Sequence, residues 1–166
     1  VKSGYGRNVP DEIKMLRAIN SIKERHAVEV VPTFLGLHAI PPEFKDDPDA
    51  FTETMITQAL PIIARERLAE FVDVFCEIGV FNVEQSERFL SAAKKYGLGL
   101  KIHADEIEAI GGVELACRLG ARSAEHLVQT EKDAMDMMAE HGVIGCLLPG
   151  TPFVLMKDEY PDARTM

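Results

Sequence analysis

Short apolar runs alternate along the chain with longer stretches of helical period, and no linker interrupts that order. The runs AVEVVPTFLG (27–36), FVDVFCEIG (71–79), LGLKIHA (98–104), ARSAEHL (121–127) and VIGCLLPG (143–150) are each bounded by turn residues, as strands buried on both faces should be. Residues 11–26 place Ile13, Leu16, Ile19 and Ile22 on one side, with acids in the first turn and a basic end that suits the helix dipole. Residues 51–68 are also helical in pattern, and Pro61, which has no N–H to give, is expected to kink or split them. Residues 83–97 turn Phe89, Leu90 and Ala93 inward and close on Gly97. Two further helices are expected over 112–120 and 130–142, both ending on Gly, the second opening with Thr130 as N-cap and Asp133 three residues on.

Strand–helix alternation of this kind specifies an α/β fold of parallel strands joined by right-handed crossovers, either an open doubly wound sheet or a (β/α) barrel. Pattern alone does not separate the two. In both, chemistry gathers at the C-terminal ends of the strands.

Those ends are polar: Tyr5 after VKSG, His38 after TFLGL, Glu77 after VDVFC, His103 with Asp105 and Glu106 after LGLKI, and His126 after ARSAE. Three of the five histidines sit there, whereas His26 and His141 fall at helix ends and read as partners of the helix dipole. Any one strand-end histidine is more often a satisfied structural residue than a ligand. Together, neutral imidazoles, a phenol and carboxylates sharing one mouth are the ligand and base set of a hydrolytic metal site. Glu77 has a plainer reading, as a cap or as a partner of Lys101 on a neighbouring strand. Gly111 and Gly112 suit a tight turn better than a phosphate cradle, since no further fingerprint accompanies them. Met137 and Met138 read as helix filling.

Composition narrows the classes. At 166 residues, 46% hydrophobic and 27% charged, the chain is globular and long enough for a substantial core. A net charge of −9 without a Lys/Arg cluster argues against nucleic acid or an anionic membrane as partner. No apolar run reaches the roughly 20 residues of a membrane span, and no basic-then-apolar leader is present, so a cytosolic (cytoplasmic) setting is expected. Cys76, Cys117 and Cys146 are widely spaced in apolar surroundings and read as reduced, buried thiols. The opening VKSGYG, without Met, and the ending DARTM read as those of a piece of a longer protein.

The segments VKSGYG, TFLGLHAIPPE, VDVFCEIGVF, LKIHADE, GGVELACRLGARSAEHL and LLPGTPF together resemble the imidazolonepropionase family of the amidohydrolase superfamily, in order and over essentially the whole chain. The resemblance implies a (β/α)8 TIM barrel with one zinc or iron ion, of which residues 1–166 would be the central part, strands two to seven, the first and last strands lying outside. It implies hydrolysis of the cyclic amide of 4-imidazolone-5-propanoate, a small-molecule substrate, in histidine degradation, and a possible homodimer. It places the metal on His103, substrate binding on Tyr5, His38 and Glu106, and catalysis on Glu106 and His126. Glu77 stands where dinuclear superfamily members carry a bridging lysine, which favours a single metal. The rival readings are another amidohydrolase, such as an aromatic-ring deaminase, and a non-catalytic α/β binding module.

Overall fold

The computed structural model describes residues 1–166. Helix α1 (Val9–Lys23) leads to strand β1 (Thr33–Leu37), helices α2 (Pro48–Thr54) and α3 (Leu60–Glu66), and strand β2 (Phe71–Cys76). Helix α4 (Val83–Lys95), β3 (Gly99–Ala104), α5 (Gly112–Leu119), β4 (Ser123–His126), α6 (Lys132–His141), β5 (Ile144–Cys146) and the short α7 (Gly150–Val154) follow.

All five strands are parallel, and their spatial order is their chain order, β1-β2-β3-β4-β5. A doubly wound sheet reverses direction at a switch point. This sheet never does, which excludes that alternative and leaves successive β/α units advancing one way, as around a barrel. The N-terminal residues extend the series: Lys2 bridges Thr33 in parallel, with Ser3 N–H donating to Thr33 O (3.0 Å) and Thr33 N–H to Val1 O (2.9 Å).

Each of the five apolar runs holds one strand, though tertiary contact trims them. In the first, residues 27–32 stay outside β1, and Pro32 O instead accepts from Glu70 N–H (3.0 Å) at the start of β2. The single core of 33 buried residues lies between the sheet and its helices. Ile13, Leu16 and Ile19 of α1 join it, but Ile22 is 53% exposed. Phe89, Leu90 and Ala93 of α4 are fully buried, and Asn82 with Gln85 forms a capping box at its start. The 51–68 stretch is interrupted near Pro61 as expected: a π turn over Met55–Ala59 separates α2 from α3, and Pro61 sits in the first turn of α3.

Three local expectations are corrected. Thr130 is not the cap of α6; Glu131 precedes the first helical residue, and the Thr130 hydroxyl turns inward to Asp105 (2.9 Å). His26 lies beyond the end of α1, its Nδ1 accepting from Val28 N–H (3.1 Å), so it closes a turn and not a helix. Cys146 is half-buried, whereas Cys76 and Cys117 are buried; all three are free thiols, and burial pushes Cys76 up to about 11. No helix is long and apolar enough to cross a membrane.

Candidate active site

The C-terminal ends of the strands open on a cavity of about 460 Å³, lined by Tyr5, His38, Phe75, His103, Glu106 and His126, with part of the α7 region above. Of the residues singled out from the strand ends, Tyr5, His38, His103, Glu106 and His126 meet at this mouth, whereas Glu77 and Asp105 do not line it. Ring centroids of His103 and His126 are 5.1 Å apart, those of His38 and His103 6.4 Å, and Tyr5 stands edge-on to His38 at 4.8 Å.

His103 and Phe75 share a register pair on β3 and β2, both on the inner face of the sheet. His103 Nδ1 lies 3.0 Å from Asp73 Oδ1, two residues back along β2. Asp73 is wholly buried. Burial alone would raise its carboxyl, but His103 and Lys2 together outweigh that and hold it below the usual carboxylate range. Lys2 Nζ donates to Asp73 Oδ2 (2.7 Å) and also to Glu125 Oε2, so one ammonium joins two carboxylates from strands far apart in sequence. Asp73, Glu125, Lys2 and Phe75 were missed by the strand-end reading. The available signal was an acid at an inward position of the alternating run FVDVF, which is costly to bury unless paired.

His126 ends β4 with φ +78°, and Leu127 follows at +61°. Two consecutive left-handed residues with side chains cost of order 1–3 kcal/mol each and turn the imidazole out of the strand's alternation toward the mouth. Its Nε2 is 3.4 Å from Glu106 Oε2, while its Nδ1 is buried without a partner. Burial, reinforced by His103 and Lys2, brings His126 down to about 4, so the contact with Glu106 at neutral pH is one of a neutral imidazole and not an ion pair. Burial likewise raises Glu106 and lowers His38, whose Nδ1 faces Gly4 O at 3.3 Å.

Two buried carboxylates hold the loops that carry the site residues. Glu77 accepts the backbone N–H groups of Ile78, Glu106, Ile107 and Glu108 at 2.7–3.1 Å, fixing the loop after β3. It does not reach Lys101, whose ammonium lies over the Phe71 ring at 4.8 Å. Glu12 of α1 does the same for the first loop, accepting from Gly4 and Gly6 N–H at 2.7–3.1 Å and so presenting Tyr5, which is 77% exposed. Gly4 is required there: φ is +121°, and a Cβ would come within 2.9 Å of Leu35 O.

The donor set fits a divalent metal ion. Neutral imidazoles keep a lone pair for a cation, His126 has a buried ring nitrogen without a partner, and ligand atoms of Asp73, His103 and Glu125 lie within 4.8 Å of one another. Asp73 and Glu125 are already joined through Lys2, which leaves His103 as the residue of that group best placed to hold an ion at the mouth.

Sequential parallel strands with imidazoles and a carboxylate lining the mouth at their C-terminal ends define an α/β protein of the (β/α)-barrel type. The chain is 54% identical over 166 residues to the imidazolonepropionase of Alkaliphilus metalliredigens, covering 100% of this chain and 39% of that protein. It is 51% identical over 165 residues to that of Shouchella clausii (99% of this chain, 37% of the other) and 50% identical over 165 residues to that of Geobacillus kaustophilus (99% and 39%). Over its whole length the chain is similar to imidazolonepropionases. It spans about two-fifths of the length of these relatives. No family model matches the chain. Among solved structures, a Xaa-Pro dipeptidase with bound methionine in its active site overlaps at a TM-score of 0.49 and 22% identity, over 81% of this chain and 38% of that one, a likeness too slight to carry weight.

Proposed function

We propose that residues 1–166 form the central part of a metal-dependent barrel that hydrolyses the cyclic amide of 4-imidazolone-5-propanoate to N-formimidoyl-L-glutamate. The observation that carries this reading is the convergence of Tyr5, His38, His103, Glu106 and His126 on one cavity, in a chain about half identical to imidazolonepropionases. His103 would hold the zinc or iron ion. When bound, such an ion lowers the pKa of a water from about 16 to about 7 and supplies the nucleophile.

The chain's own residues do the rest. Glu106, held by the Glu77 clamp, takes the proton from the attacking water as oxygen adds to the ring carbonyl, and delivers it to the ring nitrogen as the C–N bond breaks. Burial raises Glu106 from its ordinary value, toward the range useful for carrying a proton both ways. His126, neutral in its buried setting, stabilises the charge on the tetrahedral oxygen by donating an N–H and not as an imidazolium. Tyr5 and His38, in edge contact, would flank the ring and its propionate and turn binding energy into orientation.

The test is an imidazolonepropionate hydrolysis assay with metal analysis on the full-length enzyme carrying this segment, alongside His103→Ala and Glu106→Gln. The first variant should lose bound metal and activity together. The second should keep its metal and lose turnover. A His103→Ala protein with full metal content and rate would remove His103 from the site. Release of ammonia from an aminated heteroaromatic ring, with no opening of imidazolonepropionate, would favour the deaminase reading.

A further inference from the structure

Beneath the mouth lies a charged layer that the reaction itself does not use. Lys2 on the N-terminal edge segment, Asp73 on β2 and Glu125 on β4 come from alternate strands, and His103 projects from β3 between the last two. In a (β/α) barrel, alternate strands contribute the inward residues of one layer, and those residues are ordinarily apolar and branched. A layer built of two acids and a lysine is a departure with a desolvation cost, so its geometry matters.

Both oxygens of Asp73 are committed. Oδ2 accepts from the Lys2 ammonium at 2.7 Å, and Oδ1 faces His103 Nδ1 at 3.0 Å. A carboxylate only accepts. The His103 proton therefore resides on Nδ1, and the lone pair is left on Nε2. Lys2 also ties up Glu125 Oε2, which lies 3.8 Å from His103 Nε2. One ammonium thus keeps two nearby carboxylates from acting as ligands and turns one of them toward the imidazole.

We propose that Asp73 is a positioning residue for His103: held by Lys2, it fixes the Nδ1–H tautomer and the ring orientation, so that Nε2 is presented to the metal. This rests on the assignment of His103 as a ligand made above. Partners of this kind behind a metal-bound histidine change metal affinity by about 10–100-fold when removed. Lys2 acts one step further back. Its loss destabilises the layer but leaves Asp73 to accept from His103.

Two measurements test it in the full-length enzyme. In metal-free wild-type protein labelled with 15N-histidine, the His103 ring should show the Nδ1–H, Nε2-unprotonated pattern of shifts; the opposite tautomer overturns the proposal whatever any variant does. In the zinc-loaded enzyme, Asp73→Asn should release zinc to a chelator about 10–100-fold faster than wild type. With cobalt(II) in place of zinc, its visible spectrum should change as well. Lys2→Met should lower the unfolding temperature of the metal-free protein at least as much as Asp73→Asn, yet release zinc at close to the wild-type rate. If zinc release tracks the unfolding temperature in both variants, the layer is structural only and the proposal fails. His103→Ala separates the two ideas: if it retains zinc, the ligand assignment is wrong, whereas loss of zinc there with wild-type retention in Asp73→Asn refutes the role of Asp73 alone.

Discussion

At Asp105 the chain leaves β3 in a left-handed conformation (φ +55°) with its carboxyl buried. Thr130 donates to one carboxyl oxygen, and the other has no partner. Burial, aided by the like charges of Glu114 and Glu77, pushes the group up to about 6 from an ordinary 3.8. The folded state then holds a proton that the unfolded chain gives up between those two values, so stability falls as pH rises through this window, by up to about 3 kcal/mol. Asp105→Asn, which keeps an acceptor for Thr130 and tolerates the left-handed backbone, should remove that fall. Thermal unfolding at pH 4.5 and 7.5 checks it, and a variant as pH-sensitive as wild type refutes it. At His126 the expectation concerns rate: His126→Gln should lower kcat by about 10²–10³ with the fold retained, the usual cost of losing one donor to a tetrahedral oxygen. Near-wild-type turnover would take His126 out of the mechanism. These imidazoles were legible in the sequence because each ends an apolar run. Asp73 was not, because its meaning depends on Lys2, 71 residues away, and on the His103 ring.

Among the elements, the loops after the strands are the part whose order has to be maintained from outside. Glu77 holds three successive amides of the β3–α5 loop and one of its own. Glu77→Gln puts an amide NH2 against N–H donors, so exchange of the 106–108 amides should quicken by about 10–100-fold, matching one or two lost charge-assisted bonds. Turnover should fall through Glu106, since a displacement of about 1 Å can cost two orders of magnitude. Unchanged amide protection would show that the clamp is not needed. At the start of α5, a Cβ on Gly112 would sit 2.7 Å from the Ala104 Cβ and 3.4 Å from Cys76 Sγ. Gly112→Ala should therefore cost about 1–3 kcal/mol in denaturant unfolding. The glycine pair does serve as a helix entry, and its tightness comes from the close approach of α5 to β2 and β3. The helices themselves were largely readable, because amphipathic period and Gly ends are local signals. The loss of Thr130 as a cap was not, since a distant carboxylate decided it.

The whole molecule shows an inner sheet face and a C-terminal region with apolar surface uncovered: Ile144 on β5, and Phe153, Val154 and Met156 about α7, are exposed. Relatives of more than twice the length, together with strands that advance in one direction, support closure of this face by the rest of a barrel. The 166 residues expressed alone should consequently bind a hydrophobic dye or self-associate, and should neither retain metal through dialysis nor open imidazolonepropionate. Tight metal binding with turnover by this segment would show that its own residues complete the site.

By itself, the sequence determined the number of strands, their parallel α/β class, the helices between them and the histidines and acids at their ends. Those follow from backbone periods and turn chemistry acting over a few residues. Only the tertiary structure decided between a doubly wound sheet and a one-way series, trimmed the strands, bent His126 toward Glu106, and brought Lys2, Asp73 and Glu125 under His103. These depend on which strands lie side by side and on burying charge only where partners from distant segments meet it, and no local pattern in the chain encodes that.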